Sequence, residues 1–171
     1  MALSLRDEEF SAFVRDRRHE LLRSACLLTA GDTHRAEDLV QTALAKLYLA
    51  WPRIKRDGSH IAYTWRIMVN AHVDETRRPW WRRERSVAEP PDIPHSDDFP
   101  DVTGGGAVRA ALAQLPAGMR ATVVLRYWAD FSIAETAQIL GCSEGTVKSQ
   151  AAKGIARLRE TLGSAHEMRS V

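Results

Sequence analysis

The sequence of 171 residues predicts an all-α protein made of two small helical domains joined by a flexible acidic linker. In both halves of the chain, apolar residues recur at three- and four-residue steps, which is the periodicity of amphipathic helices. The sequence contains neither a sustained apolar/polar alternation nor an Asn-Gly hairpin signal, so we expect no strands. The stretch between the two halves differs sharply in composition, and it predicts the linker.

The linker is predicted over residues 87–106. This stretch holds four of the seven prolines, the run Gly104–Gly106, and five Asp or Glu without any Lys or Arg. Residues 1–86 hold 16 Lys and Arg against 12 Asp and Glu, and residues 107–171 hold 8 against 5. A polar, proline-rich stretch cannot bury enough apolar surface to offset its ordering entropy. We therefore expect one domain over 1–86 and another over 107–171.

The composition argues against several classes of protein. No apolar run approaches the roughly 20 residues of a membrane span, and the N-terminus turns acidic by Asp7, unlike a signal peptide. A cytoplasmic location is expected. Cys26 and Cys142 lack metal-ligand spacing, and His19 begins an HExxH-like string that ends in Arg23. The sequence thus predicts no metal, no cofactor and no catalytic residues, so the protein is not expected to be an enzyme.

The first domain is predicted to contain three helices. An early helix spans the apolar positions from Phe10 to Leu28, and Asp32 is a good N-cap for a second helix. The apolar positions of the second helix are Ala36, Leu39, Val40, Ala43, Leu44, Leu47, Tyr48 and Trp51. A third helix begins near Ile61, and its buried positions are Ile61, Trp65, Met68, Val69 and Val73.

The other side of the third helix is polar. Arg66, Asn70, Asp74 and Arg77 fall at steps of four, four and three, which places them on one face. From Arg77 to Arg85 the chain then carries five arginines and two tryptophans. Guanidinium groups neutralise phosphates and indoles stack on bases, so this pattern favours nucleic-acid binding. A solvated charged face, with the tryptophans packed on the bundle, is the alternative interpretation.

The second domain carries a helix-turn-helix pattern. Leu115 and Pro116 open one helix, and Ser132 with Glu135 forms a capping box for the next. Gly141 can supply the left-handed residue that ends this helix. Ser143 then caps a last helix, whose apolar positions are Val147, Ala151, Ile155, Leu158 and Leu162.

The opposite side of the last helix is polar and basic near its N-terminus. Lys148, Ser149, Ala152 and Lys153 lie there. A buried stripe opposite a short basic stripe is typical of a recognition helix that enters a major groove. An antiparallel structural hairpin can imitate the same spacing, so that alternative stays open.

Three ordered segments resemble the bacterial sigma factors. Ala36–Gln41 is similar to their core-polymerase-binding helix, and Arg66–Asn70 is similar to their minus-10 recognition helix. Leu115–Pro116 and Gly145–Ser149 resemble their minus-35-reading region. The short chain leaves no room for the extra domains of housekeeping sigma factors. The resemblance is therefore to the extracytoplasmic-function (ECF, group 4) type, in its actinobacterial SigE-like branch.

The resemblance implies a set of contacts. Core RNA polymerase would be bound by Glu37, Asp38 and Gln41. The minus-10 element would be bound by Arg66, Asn70, Asp74, Arg77 and Arg78. The minus-35 element would be bound by Thr146, Lys148, Ser149, Gln150 and Lys153. The loop from Arg53 to His60 would capture a flipped minus-10 base, although a plain surface loop is an alternative.

The implied partners are core RNA polymerase and promoter DNA. ECF members commonly have an inhibitory anti-sigma factor, and the resemblance allows one here, although no feature of the sequence requires it. The polymerase would supply the chemistry, and the acidic linker would follow its RNA path. A stand-alone helix-turn-helix transcriptional regulator is the main alternative, and a protein that only sequesters a partner is another.

Overall fold

The computed structural model describes residues 4–54, 59–76 and 106–169. Every regular element in these ranges is helical, which confirms the predicted all-α class. The predicted linker lies outside the described residues except for Gly106. The arginine and tryptophan cluster that begins at Arg77 lies outside them entirely, and so does Arg78.

The N-terminal half consists of three helices, each begun by a side-chain cap. They are α1 (Leu5–Leu28), α2 (Thr33–Ala50) and α3 (His60–Thr76), with a 3-10 turn at Trp51–Arg53. Asp32 caps α2 as predicted, because its carboxylate accepts a hydrogen bond of 3.1 Å from the Arg35 amide. Ser4 and Ser59 play the same part for α1 and α3.

The C-terminal half contains four helices and one wider turn. The helices are α4 (Gly106–Ala113), α5 (Ala117–Val123), α6 (Ile133–Leu140) and α7 (Glu144–Arg169). Between α5 and α6 the apolar run continues as a π-helical turn over Val124–Trp128, in which the Ala129 amide donates to the Val124 carbonyl oxygen at 3.0 Å. This wider turn was not predicted, because i→i+5 bonding has no distinct apolar spacing.

The predicted helix-turn-helix is present as α6, a short turn and α7. Ser132 and Glu135 form the expected capping box at the start of α6. Gly141 ends α6 in the left-handed conformation at φ +65°. The Ser143 hydroxyl then accepts a hydrogen bond of 3.1 Å from the Thr146 amide at the start of α7. The turn residues were therefore predicted correctly.

The two halves of the chain pack directly on one another. One continuous apolar core includes Leu21 and Leu28 of α1, Trp65 of α3, Leu125 of the π-helical turn and Ile139 of α6. Helices α1 and α3 contact α5, the π-helical turn and α6. The sequence predicted two tethered domains and gave no sign of this contact.

Candidate nucleic-acid interface

Helix α3 has one buried face and one exposed polar face. Trp65, Met68 and Val69 are buried, whereas Arg66, Asn70 and Asp74 are exposed. The structure thus brings three of the five predicted minus-10 residues to one side of one helix. The other two, Arg77 and Arg78, lie outside the described residues.

His72 lies on the buried face of α3, and sequence reasoning passed over it. Its side chain is 1% exposed, and neither ring nitrogen has a hydrogen-bond partner among the described residues. Burial, which is the largest cause, and the nearby guanidinium groups of Arg120 and Arg35 together lower its pKa to about 4. The imidazole is therefore neutral at pH 7, and it lies close enough to Arg120 of the second half to be affected by its charge.

Helix α7 presents the predicted minus-35 residues. Thr146, Lys148, Ser149 and Lys153 are exposed and Gln150 is half-buried, while Val147 and Ala151 are buried on the other side. All charged side chains from 145 to 159 are basic, namely Lys148, Lys153, Arg157 and Arg159, and all of them are exposed. Such a stretch attracts the phosphates of a duplex.

The start of α2 carries the predicted polymerase-binding residues. Glu37, Asp38 and Gln41 are exposed, while the helix packs on the core through its opposite face. Leu49, near the other end of α2, is 73% exposed. Leu49 was missed in the sequence, where its position off the apolar periodicity of α2 is the signal that could have found it.

An aromatic stack joins the end of α2 to the start of α3. The ring centroids of Trp51 and His60 lie 3.9 Å apart at an interplanar angle of 16°. The rings of Phe13 and Trp51 meet edge to face with their centroids 5.6 Å apart. The stack holds together the two ends of the loop that was predicted to capture a base. Residues 55–58 of that loop lie outside the described residues.

The described ranges contain neither a membrane-spanning helix nor a metal site. No helix there is long and apolar enough to cross a membrane. No group of His, Cys, Asp or Glu side chains in the same part of the chain could hold a metal ion.

Cys26 and Cys142 are half-buried free thiols, and burial raises the pKa of Cys26 to about 11.

Comparison with known proteins places both halves in one family. Sigma-70 region 2 matches residues 14–82, and Sigma-70, region 4 matches residues 105–158. The RNA polymerase sigma-E factor of Streptomyces coelicolor is 41% identical over 158 residues, which are 90% of this chain and 86% of that protein. The ECF RNA polymerase sigma factor SigM of Mycobacterium tuberculosis is 35% identical over 148 residues, which are 86% of this chain and 74% of that protein.

Two solved structures share the fold over both halves. The sigma factor RpoE of Bartonella quintana, in complex with the anti-sigma factor NepR, is 26% identical, with a TM-score of 0.71 over 91% of this chain and 98% of that one. CnrH, in complex with the cytosolic domain of CnrY, is 22% identical, with a TM-score of 0.64 over 92% of this chain and 90% of that one. At this identity the similarity supports a shared fold and nothing more.

A region 2 bundle followed by a region 4 helix-turn-helix defines a sigma-70-type transcription initiation factor. The chain belongs to this family, and within it to the extracytoplasmic-function sigma factors. The predicted resemblance to the actinobacterial SigE-like branch is confirmed by its sigma-E relatives. The stand-alone regulator is not favoured.

Proposed function

We propose that this sigma factor is a cytoplasmic, non-enzymatic subunit that reads promoter DNA with the exposed faces of α3 and α7. The observation that carries the proposal is that α3 and α7 each have one buried face and one exposed polar face. Asn70 is exposed next to buried Val69, and Lys148 is exposed next to buried Val147. Most of the polar side chains on these two faces are exposed in the described chain, and side chains of this kind contact bases and phosphates.

The minus-10 element is assigned to Arg66, Asn70 and Asp74, together with Arg77 and Arg78 further along the chain. Arginine neutralises phosphates, and the Asn70 amide can both donate to and accept from a base edge. The fixed ends of the loop after Trp51 support its proposed role in holding an unpaired base near this face.

The minus-35 element is assigned to the N-terminal part of α7. The residues are Thr146, Lys148, Ser149, Gln150 and Lys153. The N-terminal residues of a recognition helix are those that reach base edges in the major groove, while basic residues further along meet phosphates. Lys148 is therefore assigned to a base and Lys153 to the backbone.

Core RNA polymerase is assigned to the exposed side of α2. Glu37, Asp38 and Gln41 form its polar part, and we add Leu49 as an apolar contact. A leucine exposed on the same helix as these polar residues can be desolvated by a protein partner more readily than by DNA. An anti-sigma factor remains a further proposed partner, since the RpoE and CnrH chains of known structure are each held by another protein.

The domain boundaries are proposed at 1–86 and 107–171, with the acidic linker at 87–106. The matched regions, 14–82 and 105–158, support this division. With its five acidic residues and no basic ones, the linker would be repelled by DNA. This charge supports a path along a basic surface of the polymerase.

Promoter binding with and without core polymerase tests the proposal. A labelled promoter duplex is titrated with the free chain and with the reconstituted holoenzyme, and fluorescence anisotropy is measured. We expect tight, sequence-specific binding by the holoenzyme and weak binding by the free chain, because the C-terminal domain carries few excess positive charges. Tight, specific binding by the free chain would instead support a stand-alone regulator.

A further inference from the structure

The exposed face of α3 carries an acidic side chain among residues that suit a polyanion. Arg66, Asn70 and Asp74 follow one another at steps of four residues, so each lies about one helical turn, or roughly 6 Å along the axis, from the next. All three are exposed, whereas Met68 and Val69 are buried on the other side of the helix. The Asp74 carboxylate is therefore presented to the same ligand as the Arg66 guanidinium and the Asn70 amide.

Asp74 does not stabilise the helix that carries it. It lies in the last turn of α3, which ends at Thr76 and has no basic residue in that turn. The C-terminal end of a helix carries a partial negative charge, so it disfavours a carboxylate placed there. Real proteins break a local rule of this kind mainly at functional sites. The position of Asp74 thus points to a role outside the helix.

The charge of a carboxylate limits what it can contact on DNA. An ionised carboxylate only accepts hydrogen bonds, and it is repelled by the negatively charged phosphates that Arg66 attracts. The sugar–phosphate backbone is therefore excluded as the partner of Asp74. The partner that remains is a base that presents a hydrogen-bond donor, and a contact of that kind specifies sequence.

The four bases differ in how well their major-groove edges suit a carboxylate. Cytosine presents its N4 amino donor alone, whereas adenine places the N7 acceptor beside its N6 donor. Guanine and thymine offer this groove acceptors and no donor. The paired groups of adenine match a carboxamide such as that of Asn70, and the single donor of cytosine matches the carboxylate of Asp74.

We propose that Asp74 determines base specificity: its carboxylate accepts a hydrogen bond from the N4 amino group of a cytosine in the minus-10 element. The inference rests on the proposed DNA-reading face of α3 and goes beyond it by naming the base. The rise of roughly 6 Å between Asn70 and Asp74 equals about two base steps of about 3.4 Å. The cytosine therefore lies within about two steps of the base that Asn70 contacts.

Transcription from a promoter library measures this base preference. The minus-10 element is randomised and each promoter is linked to a transcribed barcode, so RNA sequencing gives the yield of every minus-10 sequence. Holoenzymes are reconstituted with the full wild-type chain, Asp74→Ala or Asp74→Asn. Asp16→Asn is the matched control, because Asp16 is exposed on α1 and the substitution removes the same charge from the same domain.

We expect the wild type to favour cytosine over thymine at one minus-10 position by about 5- to 150-fold. Asp74→Ala should abolish this preference and leave the other positions unchanged. Asp74→Asn should shift the preference toward adenine, because a carboxamide can accept from N6 and donate to N7. Asp16→Asn should match the wild type at every position. If Asp74→Ala proves unfolded by circular dichroism, the isosteric Asp74→Asn carries the test.

The outcomes that overturn the inference differ from those that overturn the proposed function. An equal change in yield over all minus-10 sequences would show that Asp74 acts through its charge alone, for example on Arg77 or Arg78. Loss of a preference for adenine or guanine would assign Asp74 to the amino group of another base. If the wild type prefers certain bases and Asp74→Ala keeps every preference, only the role of Asp74 is wrong. If the wild type shows no preference at any minus-10 position, the proposed DNA-reading function of α3 fails.

Discussion

A Cβ atom placed on Gly154 of α7 would lie 2.5 Å from the Cγ2 atom of Val123 in α5. It would also lie 3.2 Å from the Cγ atom of Met119, which is buried beside it. The recognition helix therefore crosses α5 at a point where only a hydrogen atom fits. The orientation of the proposed DNA-reading face depends on this crossing.

Gly154→Ala should lower the free energy of unfolding by about 1–3 kcal/mol, because the added methyl group overpacks the crossing of α5 and α7. Gly163→Ala is the matched control, since a Cβ atom there meets nothing within 4 Å. The control should gain about 0.5–1 kcal/mol from helix propensity. Urea denaturation measures both variants, and equal effects at the two positions would contradict a close crossing at Gly154.

The buried His72 should make the protein less stable in acid. Its pKa is lowered to about 4 by burial and by the charges of Arg120 and Arg35, whereas in the unfolded chain it returns to about 6.5. Between these values the unfolded state binds the proton and the folded state does not, so stability falls as pH falls from about 6.5 to about 4. The shift corresponds to about 3 kcal/mol.

His72→Leu should remove this loss of stability at acidic pH, because leucine has a similar volume and no group to protonate. The difference in unfolding free energy between wild type and variant, followed from pH 7 to pH 4, isolates His72 from the carboxylates that titrate in both proteins. His34→Leu is the control at an exposed position. Parallel pH curves for wild type and His72→Leu would show that His72 becomes charged in the folded chain.

The polar face of α3 should matter most for promoter melting. Asn70→Ala removes an exposed amide from this face, and Gln138→Ala removes one from α6 as a control. We expect Asn70→Ala to slow open-complex formation on duplex promoters more than on a template with a pre-melted bubble. Permanganate reactivity of unpaired thymines gives the rate. An equal defect on both templates would assign Asn70 to folding or polymerase docking.

Replacing Lys148 and replacing Lys153 in α7 should impair promoter binding in different ways. Lys148→Ala should weaken holoenzyme binding by about 1–3 kcal/mol and relax the preference at one minus-35 position, because a base contact is lost. Lys153→Ala should weaken binding to all sequences and lower the salt slope by about one, because a phosphate contact is lost. Arg18→Ala, exposed on α1, is the control. Normal promoter binding by both lysine variants would show that this face of α7 does not contact the minus-35 element.

The local features of the fold could be predicted from the sequence. Asp32, Ser132, Gly141 and Ser143 begin or end their helices as expected, because each acts on backbone groups within a few residues. The exposed polar faces of α3 and α7 followed from helical periodicity in the same way, because position around a helix depends only on spacing.

Contacts between distant residues could not be predicted. Trp128 and Ser24 are 104 positions apart, and nothing in the local pattern of either residue indicates the other. The docking of the two halves was missed for this reason. Gly154 did leave a signal, since an isolated glycine inside a strong helical pattern commonly has a packing reason, but its partner Val123 became evident only from the structure.

Run-off transcription with purified core RNA polymerase tests the central claim most directly. Template, core polymerase and nucleotides are combined with and without the wild-type chain, on a promoter and on the same promoter with its minus-35 element scrambled. We predict a discrete run-off product only when the chain and the intact promoter are both present, and a strongly reduced product with Lys148→Ala. A chain that binds the promoter but leaves the yield from core polymerase unchanged, on either template, would contradict the account.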